Sequence, residues 1–219
     1  MPMRALIFDF NGTLSDDEHV MEAVARDVFS RYGPAPTHAE YVDRLAGKSD
    51  EAMVRTWLGD RDDVEAIVAE RINGYLERVP DGRTIGPAMR EAVRLAASQV
   101  PIAIVSGAAR AEIEPVVRAA GIAEHFTAVV TSDDVANGKP HPEGYDVALA
   151  RLQAALPDLK PAEVTVIEDT EAGVAAATAA GMRCLALVGT MPAERLAAAH
   201  GLIEGGVDRA LIARLLNSG

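Results

Sequence analysis

The chain has 219 residues, of which 49% are hydrophobic and 25% charged, and its formal net charge is −12. This length and composition allow one α/β core with a hydrophobic interior and a small insertion, and they exclude a disordered chain. The negative charge argues against the broad basic surface that nucleic-acid binding needs, so an anionic substrate would have to meet a local cation.

The cysteine content and the hydropathy of the chain indicate in which cellular compartment the protein is located. The single cysteine, Cys184, has no partner for an internal disulfide or a thiolate metal site. No apolar run approaches the roughly 20 residues that span a bilayer, and the apolar stretch before Asp9 is too short for a signal peptide. We therefore expect a cytoplasmic protein with no membrane partner. Because no long apolar surface is evident, we also expect a monomer.

Short apolar runs alternate with longer helical patterns along most of the chain. They predict strands at residues 5–8, 102–105, 128–131, 164–167 and 184–188, and helices at residues 87–98, 109–120, 142–156 and 171–180. The apolar runs are continuous, which is typical of parallel strands covered on both faces. The alternation predicts an α/β fold with a doubly wound, Rossmann-like parallel sheet. Such sheets bind ligands beyond the carboxyl ends of their strands.

The segment after the first strand breaks this alternation. Up to about residue 80 only helical patterns occur; in one of them Val24, Val28 and Phe29 form an apolar face between charges. We predict an inserted α-helical cap of about four helices. The predicted division is a cap at residues 16–80 and an α/β core formed by residues 1–15 and 81–219.

The first candidate motif occupies residues 9–14 and begins with Asp9 at the end of the first strand. A carboxylate at a strand end before a glycine turn can be aimed into a cleft, and carboxylates form covalent phosphoryl intermediates. The alternative is that Asp9 only caps a turn or a helix.

Two further motifs could bind an anion. Ser106 and Gly107 follow the second strand, where a hydroxyl and backbone N–H groups at a helix start form an anion site, although such a pair often serves only as a helix cap. Lys139 lies on a proline-rich turn from which it could reach a phosphate or pair with a carboxylate. A lone loop lysine is usually solvated. We interpret the neighbouring His141 as an exposed loop residue and not as a base.

The fourth motif places two adjacent carboxylates, Glu168 and Asp169, at the end of a strand. Adjacent carboxylates repel each other unless a cation lies between them, and oxygen ligands at an open sheet edge suit Mg²⁺. The alternative is that acids at a helix start stabilise the helix dipole, which is the role we expect for Glu171.

The order and spacing of these motifs resemble the haloacid dehalogenase-like (HAD) superfamily. The similarity covers residues 4–190 and includes the position of the helical cap, the lysine–proline pair at Lys139 and the acidic pair at Glu168. The chain is most similar to the branch that contains β-phosphoglucomutase and phosphoglycolate phosphatase-like enzymes. The resemblance implies a phosphatase that acts on a phosphorylated small molecule.

The resemblance also implies roles for individual residues. Asp9 would attack phosphorus, and Lys139 would stabilise the charge that develops. Thr13, Ser106 and Gly107 would bind the phosphoryl oxygens. Mg²⁺ would be the cofactor, since a cation at this point also resolves the charge problem of an acidic protein with an anionic substrate.

The implied Mg²⁺ ligands are the Asp9 carboxylate, the backbone carbonyl of Asn11, and Asp169 with assistance from Glu168. Asn11 also marks a departure from the family, whose general acid/base aspartate belongs at this catalytic position. An amide cannot transfer a proton. From the sequence we therefore expect Asn11→Asp to raise turnover of alkyl phosphates, unless another group such as His19 replaces the missing acid.

A second departure lies in the cap, where Asp50 stands in place of the arginine with which β-phosphoglucomutase holds a second phosphate. This departure and Asn11 disfavour a phosphomutase. Glu18 and His19, at the start of the cap, are possible substrate contacts. The sequence is also compatible with a metal-independent dehalogenase and with a phosphate-metabolite binding protein whose catalysis is weakened.

Overall fold

The computed structural model describes residues 3–217 and contains one parallel sheet of six strands in the order β3-β2-β1-β4-β5-β6. The strands are β1 (Ala5–Phe8), β2 (Ile102–Val105), β3 (Ala128–Val130), β4 (Val164–Glu168), β5 (Arg183–Leu187) and β6 (Gly201–Ile203). The order proceeds outward from β1 in both directions, as in open nucleotide-binding sheets. The predicted doubly wound α/β fold is confirmed.

Helices cover both faces of the sheet because successive strand residues point to opposite sides. In β1, Leu6 and Phe8 enter one core and Ala5 and Ile7 enter the other. The first core is covered by α5 (Pro87–Ala97), α6 (Arg110–Ala119) and α9 (Arg209–Asn217), and the second by α7 (Glu143–Gln153) and α8 (Glu171–Ala179).

The inserted segment between β1 and α5 is helical, as the sequence predicts. It contains α1 (Glu18–Phe29), α2 (His38–Arg44), α3 (Asp50–Leu58) and α4 (Val64–Arg78), which we call the cap helices. Thr37 begins α2 with a capping box, and the Ser49 hydroxyl accepts from the backbone of α3. The division of the chain into core and cap at residues 16 and 80 stays a prediction. None of the helices within residues 3–217 has the length and apolar character that a bilayer crossing requires.

Several element boundaries differ from the sequence prediction. β3 ends at Val130, because Thr131 bonds to Asp134 and begins a turn. β4 continues through Glu168 and β5 begins at Arg183. β6 and α9 were not predicted. β6 has only three residues, which is too short to show a strand-like alternation of apolar and polar residues. Leu202, in the middle of the strand, is also 45% exposed, so no buried apolar run marks this strand in the sequence.

Candidate active site

The predicted site residues meet at the carboxyl edge of the three central strands. Asp9 follows β1, Ser106 follows β2, and Glu168 ends β4 with Asp169 directly after it. Because β1 lies between β2 and β4, these side chains converge. All four residues are buried. Burial of this many polar groups at a strand edge marks a functional site and not a packing core.

Lys139 supplies the positive charge of the site. Its Nζ lies 2.5 Å from Asp9 Oδ1 and 2.5 Å from Glu168 Oε1, and it donates to the carbonyl of Val105 at 3.2 Å. Burial lowers the pKa of Lys139, but the two carboxylates outweigh burial and raise it above its ordinary value. The lysine is therefore a fixed cation and not a solvated loop residue, and it orients the nucleophile predicted at Asp9.

Glu168 is held by donors on both of its carboxylate oxygens. Oε1 accepts from Lys139 and from the hydroxyl of Tyr145 at 3.0 Å, and Oε2 accepts from both N–H groups of Asp169 and Thr170 and from the Thr170 hydroxyl. Burial disfavours its charged form, yet Lys139 and these bonds lower its pKa overall. A Cβ on Gly173 would lie 1.8 Å from Oε1, so only glycine leaves room for the carboxylate there.

Asp169 has less compensation, because among the described residues only the hydroxyls of Thr13 and Thr190 oppose the shift of its pKa. Its Oδ1 accepts from the Thr13 hydroxyl at 3.2 Å, and its buried Oδ2 has no hydrogen-bond partner among residues 3–217. Burial and the charges of Asp9 and Glu168 raise its pKa well above the ordinary value. Gly12 has a φ of 73° and lies next to this oxygen. A Cβ at Gly12 would lie 2.0 Å from Asp169 Oδ2. An orphaned carboxylate oxygen in a buried site calls for a cation.

Three carboxylates therefore lie close together, and Lys139 contacts two of them, Asp9 and Glu168. Ligand oxygens of Asp9, Glu168 and Asp169 lie within 4.8 Å of one another. Burial and the charge of Glu168 raise the pKa of Asp9, while Lys139 opposes the shift. A divalent cation with a preference for oxygen, such as Mg²⁺, fits this excess of negative charge. Asp9 and Asp169 have the oxygens to hold it, whereas those of Glu168 are already engaged by protein donors.

Asn11 lines a small cavity together with Asp9, and its side-chain amide is bound to two carboxyl groups. Its side-chain amide donates to Asp17 Oδ2 at 3.1 Å and to Glu112 Oε1 at 3.4 Å, and both acceptors are fully buried. Asp17 also accepts from the Tyr75 hydroxyl at 2.5 Å and from the backbone of Gly12 at 3.2 Å. Burial raises the pKa of Asp17 to about 6, against the effect of these bonds. The amide thus has a defined structural role, which the sequence did not indicate.

This contact extends into a network of buried charges between core and cap. Arg71 of α4 pairs with Asp50 of α3 and lies 3.7 Å from Glu112 of α6. Asp50 accepts from the backbone N–H of Ala109 at 3.3 Å. Burial and the charge of Asp50 raise the pKa of Glu112 well above its ordinary value. We call the following residues the interface network: Asn11, Asp17, Asp50, Arg71, Tyr75 and Glu112.

The remaining candidates divide into cavity-lining and exposed residues. Ser106 and Gly107 line a small cavity above Asp9, and the Ser106 hydroxyl accepts from the backbone of Ala108 at 3.1 Å. Glu18 lines the same cavity. His19 and His141 are exposed. For His141, exposure is what the sequence predicted.

The small cavity holds about 30 Å³ and is closed by the cap helices. This volume has room for a few water molecules at most. A neighbouring cavity of about 460 Å³ lies between α3, α4 and the loop that carries Lys139, and it shares Asp50, Ser106 and Gly107 with the first. The small cavity is too small for a phosphate ester, so we expect the cap helices to move away from the core when substrate enters.

We expect this movement to be measurable in solution. Because closure excludes water and completes a site, X-ray scattering with Mg²⁺ and a phosphate analogue should give a smaller radius of gyration than scattering without them. Glu204→Gln, at an exposed position between β6 and α9, serves as a control that should behave like the unmodified chain. Identical profiles at saturating ligand would contradict a mobile cap.

Comparison with known proteins agrees with this geometry. The sequence profile described as "Haloacid dehalogenase-like hydrolase" matches residues 6–187. The chain belongs to this family. It is 31% identical to the validoxylamine A 7'-phosphate phosphatase of Streptomyces hygroscopicus subsp. limoneus, with 92% of this chain and 93% of the relative covered. It is 30% identical to a phosphorylated carbohydrates phosphatase of Thermotoga maritima, with 82% of each chain covered.

Solved structures share the fold at lower identity. The β-phosphoglucomutase of Clostridium difficile superposes with a TM-score of 0.80 at 19% sequence identity, covering 99% of this chain and 98% of that one. The predicted HAD family membership is confirmed, and so is an enzyme of the hydrolase class. The relatives named as phosphatases bear out action on phosphate esters.

Proposed function

We propose that this hydrolase is a Mg²⁺-dependent phosphatase that cleaves a small-molecule phosphomonoester through a phosphoaspartyl intermediate on Asp9. The observation that carries the proposal is the pairing of a buried Asp9 with Lys139 beside an aspartate, Asp169, that has an unpartnered oxygen. A nucleophilic carboxylate needs a cation to admit a phosphate dianion, and a second cation completes the charge balance.

Each side chain then has a task. The second oxygen of Asp9 attacks phosphorus while Lys139 holds the first oxygen in position. Ser106 and the backbone at Gly107, at the end of the neighbouring strand β2, bind phosphoryl oxygens. Thr13 orients Asp169 through its hydroxyl, and Glu168 fixes Lys139. Mg²⁺, held by Asp9, Asp169 and the Asn11 carbonyl, would neutralise charge on the phosphoryl group.

The substrate class follows from the larger cavity. Its volume of about 460 Å³ lies beside Lys139, where the leaving group would extend, and it falls in the range of small-molecule sites. Two relatives are named as phosphatases, one of phosphorylated carbohydrates and the other of validoxylamine A 7'-phosphate. We propose a phosphorylated, carbohydrate-like metabolite.

Three competing functions fit the site less well. A metal-independent dehalogenase does not require the metal-binding group of carboxylates formed by Asp9, Glu168 and Asp169. A mutase must hold a second phosphate in the cap, but at the position of the family's arginine this chain has Asp50, which is engaged by Arg71. A binding protein with weakened catalysis does not need a nucleophilic carboxylate that is oriented by a lysine, as Asp9 is by Lys139.

Release of inorganic phosphate from a panel of phosphomonoesters, with added Mg²⁺ and with EDTA, tests the proposal. We expect turnover that requires Mg²⁺, highest on sugar phosphates, and none on haloacids. Metal-independent turnover of haloacids would instead support the dehalogenase, and binding without turnover would support the metabolite-binding protein. The cytoplasmic location and the monomeric state stay predictions from the sequence.

A further inference from the structure

Phosphoaspartyl chemistry needs a group that moves protons, and Asn11 is not one. Cleavage of an alkyl phosphate leaves an alkoxide oxygen that must be protonated, and the attacking water must later lose a proton. An amide does neither, and the Asn11 amide is committed to Asp17 and Glu112. The question is which other side chain can reach the reacting atoms.

The small cavity above Asp9 contains few candidates. Lys139 is bound to Asp9 and Glu168, and Asp50 is bound to Arg71. The Tyr41 hydroxyl keeps its proton at neutral pH, because burial and the charge of Glu18 raise its pKa well above the ordinary value. His19, the substitute considered from the sequence, is exposed and does not line this cavity. Lys48 also lines this cavity, and among the described lining residues Glu18 is the carboxyl group with no ion pair to a cation.

Glu18 is also positioned for the task. It is the first residue of α1, where the chain passes from the core into the cap, so it lies on the cap side of the cavity that Asp9 lines from the core side. The Tyr41 hydroxyl donates to its Oε2 at 3.2 Å and fixes one oxygen, which leaves the other available to the cavity. A substrate between core and cap would lie between Asp9 and Glu18.

The surroundings of Glu18 favour its protonated form. Burial raises its pKa to about 8, assisted by the charges of Asp17 and Asp9. The Tyr41 hydrogen bond and the more distant charge of Arg71 oppose the shift. A carboxyl group that holds its proton near neutral pH can serve as an acid in one step and as a base in the next.

We propose that Glu18 is the general acid and base of this enzyme, in place of a carboxylate at position 11. In the first step an Asp9 oxygen bonds to phosphorus as the ester P–O bond breaks, and the departing oxygen takes the proton of Glu18. In the second step water bonds to phosphorus as the bond to Asp9 breaks, and the Glu18 carboxylate takes a proton from that water. Inorganic phosphate leaves, and both carboxyl groups return to their starting states.

The inference rests on the proposed phosphatase function, and a leaving-group series separates the two. Glu18→Gln should lower kcat/KM on alkyl phosphates by on the order of 10²-fold or more. Its effect on aryl phosphates with acidic leaving groups should be roughly threefold or less, because those oxygens leave without a proton. Glu22→Gln is the matched control, since Glu22 lies one turn further along α1, outside the cavity, and pairs with His38.

A second variant gives a readout that a structural role would not move. Tyr41→Phe removes a hydrogen bond that stabilises the charged form of Glu18, so its pKa should rise. The alkaline limb of the kcat/KM profile on an alkyl phosphate should then shift to higher pH in Tyr41→Phe and disappear in Glu18→Gln. Equal losses on alkyl and aryl phosphates, or no loss on either, would overturn the role of Glu18. An unmodified enzyme that hydrolyses no phosphate ester would instead refute the proposed function.

Discussion

Asp9→Asn is expected to lower kcat on every phosphomonoester by at least about 10³-fold, because an amide is a poor nucleophile and no other carboxylate lies at the end of β1. Lys139 would lose a charged partner but keep Glu168 at 2.5 Å. Steady-state phosphate release, measured on the purified variant, checks the result. Activity above a tenth of that of the unmodified enzyme would refute Asp9 as the nucleophile.

The same variant should remain folded. The pKa of Asp9 is raised by burial and by the charge of Glu168. A carboxyl group whose pKa is raised in the folded state costs stability as the pH rises from its unfolded pKa through its folded pKa, here about 7, so a neutral amide relieves that cost. We expect a Tm in metal-free buffer no lower than that of the unmodified chain, and a smaller rise of Tm with Mg²⁺. Asp81→Asn, in an exposed turn, should change neither.

Asn11→Asp is expected to destabilise the protein without improving catalysis, contrary to what the sequence alone suggests. The change removes a donor from Asp17 and Glu112 and adds a third carboxyl group to a buried site. Loss of hydrogen bonds to charged acceptors costs about 1.5 to 3 kcal/mol. We expect the free energy of unfolding to fall by about 2 to 4 kcal/mol at pH 8. Turnover of alkyl phosphates should fall several-fold, because residue 11 shares a loop with Asp9.

The pH dependence of this loss has a definite sign. A carboxyl group introduced among buried carboxylates has a raised pKa, as Asp17 already does, so its cost is small while it is protonated and grows as the pH rises. Denaturant unfolding should show a smaller difference at pH 5 than at pH 8. The control is Asn137→Asp, since the Asn137 amide donates to Glu143 at 2.9 Å in an exposed loop and the cost there should be small. A gain in turnover on alkyl phosphates would show that Asn11 is only a missing acid.

The features that the sequence predicted well are those encoded locally. Each of the first five strands contains a mainly apolar run, interrupted by Thr165 in β4, and Asp9, Ser106 and Glu168 follow or end such runs. Parallel strands bring their ends to one edge, so the meeting of these residues could be anticipated. The amphipathic face of α1 likewise indicated a cap helix, and its buried residues include Val24 and Val28.

The interface network could not be predicted because its signal is spread over distant positions. Arg71 and Glu112 look like ordinary surface charges in helical patterns, yet both are fully buried. Their burial depends on α4 packing against α6, and no local period encodes that contact. The role of the Asn11 amide was missed for the same reason, since one of its acceptors lies 101 residues away.

The most direct test of a nucleophilic Asp9 is to trap the covalent intermediate. The enzyme would be mixed with Mg²⁺ and a good aryl phosphate, quenched within one turnover and treated with borohydride, which reduces an aspartyl phosphate to homoserine. Peptide mass spectrometry should then find homoserine at position 9 alone, and none after the same treatment of Asp9→Asn. Homoserine at another position, or a fully active enzyme whose Asp9 is never modified, would contradict the account.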